Sequence, residues 1–109
     1  MKLLLDENLP KKLKNDFDEY SVYTVSDKFW NGKKNGEILQ AMINDGFDVL
    51  LSFDKNLQHQ QNFKKYPIAV FLLNAEDNTY LTLKKLVQPI KKLLHLPLQI
   101  GVTEIKQFI

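Results

Sequence analysis

The sequence predicts a parallel α/β fold in a single domain, residues 1–109. Short apolar runs without helical periodicity alternate along the chain with segments whose apolar residues recur every three or four positions. Two of these runs, DVLLSF and PIAVFLL, are apolar almost throughout, which is typical of parallel strands buried on both faces. Hydrophobic residues make up 44% of the chain, enough to form a core. Because parallel strands need crossover connections, we expect a doubly wound sheet with helices between its strands.

The first half of the chain predicts three strands and two helices. Asn8 is a good N-cap, and apolar residues recur at every fourth position after it, which is typical of one face of a helix. A second helix opens at Glu37, and Gly46 is placed to end it. The strands are the apolar or alternating runs 2–5, 21–25 and 48–53.

The second half predicts a short helix or structured loop over 55–65, a fourth strand at 67–73 and a long helix from Tyr80 to Leu94. A last edge strand is expected at 98–102. Pro89 lies within the helical stripe, so we expect a kink or break there.

The strand order that we predict is 2-1-3-4, which places the first strand beside the third. In such sheets ligands bind beyond the carboxyl ends of the strands, where the strand order reverses. Asp6 and Asp54 are the residues that leave those two strands. The topology therefore predicts that two carboxylates far apart in the sequence come together.

A carboxylate site is the main chemical prediction. Asp6, Glu37 and Asp54, with Glu7, are expected at one edge of the sheet, where their mutual repulsion favours a bound cation or a shared proton. Mg²⁺ or Mn²⁺ held by a few carboxylates and water is the simplest occupant, and it can activate water against a phosphodiester. Each acid also has an ordinary explanation, as a strand end, a cap or a helix first turn.

Composition excludes several other classes of site. The chain has no cysteine, hence no disulfide, thiolate zinc site or cysteine nucleophile, and a cytoplasmic location is the simplest expectation. All fifteen basic residues are lysine, and the net charge is only +2, which is not typical of a strong nucleic-acid binder. No apolar run approaches the ~20 residues that span a bilayer.

The segment 54–62 is rich in amide side chains. Amides orient water, contact phosphate or hold carboxylates by hydrogen bonds. The alternative interpretation is a solvated polar helix. The amides that we consider as supporting groups are Asn56, Gln60, Gln61 and Asn62.

Four segments together resemble the compact branch of the PIN-like domains. They are LLLDENLPKKL, FWNGKKNGEIL, FDVLLSFDKNLQHQQN and IAVFLL, and they cover Met1 to Leu73. The most specific part is KNGE followed by the D-x-N-L-x-x-Q-Q-N run. The resemblance implies a three-layer α/β/α sandwich, a Mg²⁺ or Mn²⁺ centre, and endoribonuclease activity. It also implies a toxin of a type II toxin–antitoxin pair, with a small antitoxin partner and a homodimer.

The resemblance also assigns site residues. It implies that Asp6, Glu37 and Asp54 are the catalytic, metal-binding acids. One departure stands out, since many relatives have aspartate where this chain has Asn35, which removes one negative charge. The supporting or substrate-orienting residues are Glu7, Asn8, Asn35, Asn56, Gln60, Gln61 and Asn62.

Two other functions stay open. An acid after strand 1 and an aspartate after strand 3 are also the pattern of a receiver-like phosphoacceptor. Against it, Asn74 stands where a hydroxyl is expected, and the predicted last strand ends at Val102 and not at a lysine. A non-catalytic binding module, with the acidic edge kept for structure or partner binding, is the third hypothesis, and Asn35 favours it.

Overall fold

The sheet has five strands, all parallel to their neighbours, in the order β2-β1-β3-β4-β5. A computed structural model describes residues 1–60 and 62–106. The predicted parallel α/β sheet and the predicted order 2-1-3-4 are both confirmed, and β5 extends the sheet beyond β4. The strands are β1 (Lys2–Leu5), β2 (Ser21–Thr24), β3 (Val49–Ser52), β4 (Ala69–Asn74) and β5 (Gly101–Lys106).

Helical segments connect the strands. Among the described residues, no helix is long and apolar enough to cross a membrane. The α-helices are α1 (Asn35–Asn44), α2 (Leu57–Gln60), α3 (Tyr80–Leu83) and α4 (Val87–Leu94), and 3-10 helices cover Lys11–Phe17 and Lys84–Leu86.

The first predicted helix differs from the expectation in type and start. It is a 3-10 helix that begins at Lys11, and its opening bond runs from the Leu13 N–H to the Pro10 carbonyl at 3.0 Å. Asn8 does not cap it, because its side-chain oxygen accepts a hydrogen bond from the backbone of Phe53 at 3.1 Å. The Asn8 side chain that could cap the helix is therefore hydrogen-bonded to a residue far away in the sequence.

The helical stripe is interrupted in the turn before Pro89, as predicted. The helical path changes to a 3-10 turn at Lys84–Leu86, and Pro89 is the third residue of α4. Proline has no backbone N–H to bond to the carbonyl four residues back, and its ring crowds that carbonyl, which here belongs to Lys85. Lys85 lies within the 3-10 turn, so the break stands where Pro89 is expected to produce it.

Both faces of the sheet are covered by apolar residues. Leu3 and Leu5 point to one face, where they pack with residues of the first 3-10 helix and of α4. Leu4 and Leu50 point to the other face, where they pack with α1. Burial on both faces explains why these strands appear in the sequence as continuous apolar runs.

The last strand begins and ends later than predicted. Gly101 opens it with φ +99°, a conformation that favours glycine, and its N–H donates to the Ile68 carbonyl at 3.0 Å. The ladder with β4 then continues as far as the pair of Asn74 and Lys106. The strand therefore ends at a lysine, which the sequence-based bounds 98–102 missed.

Candidate functional site

Asp6 and Asp54 lie at the carboxyl ends of adjacent strands. Leu5 and Leu51 are partners in the register of β1 and β3, and Asp6 and Asp54 come just after them in the chain. The Asp6 N–H donates to the Leu51 carbonyl at 2.9 Å, which extends the ladder to the carboxylate itself. The juxtaposition predicted from strand order is present.

Ser52 joins the two acids. It is the last residue of β3 and its side chain is fully buried. Its hydroxyl donates to Oδ2 of Asp6 at 2.7 Å and accepts the backbone N–H of Asp54 at 3.0 Å. One hydroxyl thus fixes the Asp6 carboxylate and the backbone that carries Asp54.

The Asp6 carboxylate stands in a poorly solvated, negatively charged environment. Burial raises its pKa above the ordinary value, while hydrogen bonds from the Ser52 hydroxyl and the Glu7 N–H lower it. The negative charges of Asp54 and Glu7 add to the increase in pKa. A carboxylate with a raised pKa beside a second acid favours a proton or a cation as its neighbour.

The raised pKa predicts how Asp6 affects stability. Between the unfolded and folded pKa values the folded chain binds more protons, so this group makes the fold less stable as pH rises through that interval. At neutral pH, which lies above the unfolded value, Asp6 therefore opposes folding. Asp6→Asn is therefore expected to raise the melting temperature at neutral pH, with an advantage that grows as pH rises from the acid range.

Thermal unfolding followed by circular dichroism over a pH series measures this effect. The matched control is Asp18→Asn, which removes the same charge from an exposed position after the first 3-10 helix. A melting temperature at neutral pH lower for Asp6→Asn than for the parent would contradict the argument.

Asn35 holds the second acid. It is the first residue of α1, and its Nδ2 donates to Oδ2 of Asp54 at 3.0 Å. The other oxygen, Oδ1, accepts the backbone N–H of Asn56 at 3.0 Å. An aspartate at position 35 would place a second negative charge next to the Asp54 carboxylate. The Asn35 amide instead donates a hydrogen bond that stabilises the negative charge of Asp54.

Asn8 fixes the backbone around the site. Its side chain accepts the Phe53 N–H, between Ser52 and Asp54, and its carbonyl accepts a bond from the Asn78 side chain at 2.9 Å. The turn after β1 is therefore tied to the end of β3 and to the loop after β4. Asn8 makes these contacts with residues far away in the sequence, and its supporting role in the site stays a prediction.

Glu7 and Glu37 have other partners. Glu7 is exposed, and its Oε1 accepts the Gly32 N–H at 2.9 Å. Glu37 is also exposed, and its Oε1 accepts the Lys34 N–H at 2.9 Å at the start of α1. The structure joins Asp6 and Asp54 in one network and leaves Glu37 outside those bonds.

Glu37 instead lines an open cavity of about 440 Å³ with Lys33, Lys65 and Tyr66 among its neighbours.

The remaining predicted amides are spread along the segment after Asp54. The Asn56 backbone contacts Asp54, and Asn62 is exposed, with its Oδ1 accepting the Lys64 N–H at 3.0 Å. Gln60 is the last residue of α2, and Gln61 lies outside the described residues. Within the described part of 55–65, the short helix or structured loop that we expected is present as the single turn of α2.

The acid pair is a fitting donor set for a hard cation. Within residues 1–60 and 62–106 no group of three or more histidine, aspartate or glutamate side chains is arranged to hold a metal ion. Mg²⁺, however, commonly takes only one or two protein carboxylates and completes its shell with water and phosphate oxygens. The carboxylates of Asp6 and Asp54, at the ends of adjacent strands, meet that need, and Glu37 stays a predicted third ligand.

A small cavity adjoins Asp6. Its volume is about 100 Å³, room for a few water molecules at ~30 Å³ each. It opens at the carboxyl ends of β1 and β2. Its lining consists of Asp6, Glu7, Leu9, Lys11, Thr24, Val25, Ser26 and Asn31.

Ser52 is the site residue that the sequence reasoning missed. Its signal was a single hydroxyl inside the apolar run DVLLSF, two residues before Asp54. No protein-family model, curated protein or solved structure matches this chain.

Proposed function

We propose that this protein is a metal-dependent endoribonuclease with a PIN-like, three-layer α/β/α fold, in which Asp6 and Asp54 bind Mg²⁺ or Mn²⁺. The observation that carries the proposal is the pair of acids at adjacent strand ends, where the buried Ser52 hydroxyl bonds to the Asp6 carboxylate and to the backbone N–H of Asp54. The apolar helix faces on both sides of the sheet support the layered fold. Glu37 is proposed as the third acid, reaching the ion from α1.

The chain's own groups would divide the work of hydrolysis. When bound, the ion supplies Lewis-acid polarisation of the phosphodiester and an activated water. Ser52 orients the Asp6 carboxylate, and Asn35 orients that of Asp54. Lys33 lies two residues before Asn35, and Lys55 directly follows Asp54. Their ammonium groups would attract the RNA backbone as point charges, without the bidentate geometry of arginine.

The biological setting that we propose is a cytoplasmic toxin paired with a small antitoxin protein. This part follows from the motifs, chiefly KNGE and the D-x-N-L-x-x-Q-Q-N run, in which Asn35 and Asp54 now prove to be hydrogen-bonded to each other. Two motifs that meet at one point in the fold are better explained by a shared site than by separate caps.

The decisive experiment is cleavage of a mixed RNA panel with Mn²⁺, comparing the parent with Asp54→Asn. The substitution is nearly isosteric, removes one charge from the acid pair, and sets an amide opposite Asn35. We expect cleavage to fall by about a hundredfold or more, because the ion loses a ligand and its position. The matched control, Asp18→Asn, removes an exposed charge and should leave cleavage unchanged.

Two outcomes would count against the nuclease. If Asp54→Asn cleaves as fast as the parent, Asp54 is not in the catalytic centre. If neither protein cleaves any RNA, the weight shifts to a binding module, whose specific support is that both carboxylate oxygens of Asp54 accept hydrogen bonds from the chain itself. Titration calorimetry with Mn²⁺ separates these cases, because the binding module predicts no saturable uptake.

One observation also favours a receiver-like phosphoacceptor. β5 ends at Lys106, the residue type that pairs with a phosphoryl group in such domains, where the sequence had suggested only Val102. That amine, however, lies 3.1 Å from the Glu104 carboxylate, and β4 ends in Asn74 and not in a hydroxyl residue. Incubation with acetyl phosphate followed by mass measurement tests it, and an unmodified Asp54 removes this alternative.

A further inference from the structure

β5 is an edge strand with an open row of backbone groups. The Gly101 N–H points to β4, so alternate residues from Gly101 onward face that strand. Val102, Glu104 and Lys106 therefore point their N–H and C=O groups away from the sheet. Within the part of the chain that the structure describes, no hydrogen bond reaches these outward groups. An open edge of this kind is a template for another strand.

The opposite edge of the sheet is protected differently. β2 has four residues, and the outward N–H of Thr24 donates to Oδ2 of Asp27 at 2.8 Å. The chain thus caps part of its β2 edge with its own side chain. The longer β5 edge has no such cap among the described residues, so the two edges are not equivalent.

The charges on β5 are complementary to themselves. Glu104 and Lys106 lie on one face of the strand, with Nζ and Oε1 3.1 Å apart. In an antiparallel pair of two β5 strands with the two-fold axis at Ile105, Glu104 of each copy stands opposite Lys106 of the other. Both residues have outward backbone groups, so they form a hydrogen-bonded pair of the ladder. An axis at Glu104 or at Lys106 would oppose like charges, which is destabilising.

From these observations we propose that two copies of this chain associate through antiparallel pairing of their β5 edges, with the axis at Ile105. The sheet then continues from one copy into the other. The resemblance to PIN-like domains implied a homodimer without an interface, and the proposal supplies the interface; it does not depend on the nuclease function.

Apolar surface beside β5 fits the same partner. Leu96 and Ile100 are 58% and 63% exposed just before the strand. Two cavities, of about 370 and 460 Å³, lie between α4 and β5, and Leu93 lines both. A two-fold axis perpendicular to the sheet brings α4 of both copies to the same side, where these surfaces can be buried together.

Charge reversal tests the pairing and its register together. Sedimentation equilibrium is measured at micromolar concentrations for the parent, for Glu104→Lys and for Lys106→Glu. The parent is expected to dimerise, and each single variant to associate at least about tenfold more weakly, because it opposes like charges at two places. An equimolar mixture of the two variants should restore the dimer, as should the double variant E104K/K106E.

Lys85→Glu, at an exposed position away from β5, is the matched control and should dimerise like the parent. Circular dichroism confirms that each variant is folded. Hydrogen exchange adds an independent measurement, since the amides of Glu104 and Lys106 should gain protection with protein concentration. A monomeric parent, a dimer indifferent to both reversals, or a mixture that stays monomeric would each overturn the proposal.

Discussion

Leu57→Ala is expected to lower the free energy of unfolding by about 2–5 kcal/mol, the usual cost of truncating a fully buried leucine. Leu57 is 0% exposed and packs in the core beneath α1, although it lies in the polar segment 54–62. Its N–H also donates to the Asp54 carbonyl at 3.2 Å. The side chain therefore anchors both the short helix α2 and the turn that carries the acid.

Urea unfolding monitored by the fluorescence of Trp30, the single tryptophan, measures the change. The matched control is Leu81→Ala, because Leu81 is 76% exposed and its truncation should change stability by less than ~0.5 kcal/mol. If Leu57→Ala lowered the free energy of unfolding no more than Leu81→Ala, the segment 54–62 would not depend on the buried Leu57 side chain.

Much of the fold could be predicted because the sheet is buried on both faces. Burial forces the strands to be apolar along their whole length, and that pattern is visible in the sequence. The strand order then placed Asp6 beside Asp54, since the carboxyl ends of parallel strands lie at one edge. Long-range geometry was accessible here because it follows from topology and not from individual contacts.

What the sequence could not supply are the partners of single polar side chains. Asn8 has the local pattern of a cap, yet it bonds to Phe53, 45 positions along the chain. Glu37 was expected at the acid pair, and its carboxylate bonds to the nearby Lys34 backbone. Local and distant donors compete for the same oxygen, and spacing alone does not decide between them.

The bounds of β5 were missed for a related reason. The run 98–102 looks like a strand, but pairing depends on where β4 can offer partners, and that ladder starts at Gly101. The consequence is structural, because Glu104 and Lys106 then lie within an edge strand. A charged pair that resembles a solvated tail in the sequence becomes a feature of the sheet edge.

Ser52→Ala is the second change with a large expected effect. It removes two hydrogen bonds from a buried position, one of them to the Asp6 carboxylate. Bonds to charged groups contribute more than neutral ones, so the expected loss in the free energy of unfolding is about 2–4 kcal/mol. For a chain of this size the melting temperature should fall by roughly 10–20 °C. Ser21→Ala, at an exposed residue of β2, is the control and should melt like the parent.

A purely structural role for Ser52 would end with that loss of stability, whereas a role in the site also changes the titration of Asp6. The hydroxyl lowers the Asp6 pKa against the increase caused by burial, so its removal should raise that pKa further. If Asp6 must be ionised to hold the proposed cation, Mn²⁺ affinity is lost on acidification at a higher pH in Ser52→Ala than in the parent. This fall in affinity towards low pH is the acid limb of Mn²⁺ binding. An unchanged acid limb in a folded variant would show that Ser52 supports the sheet without tuning the acid pair.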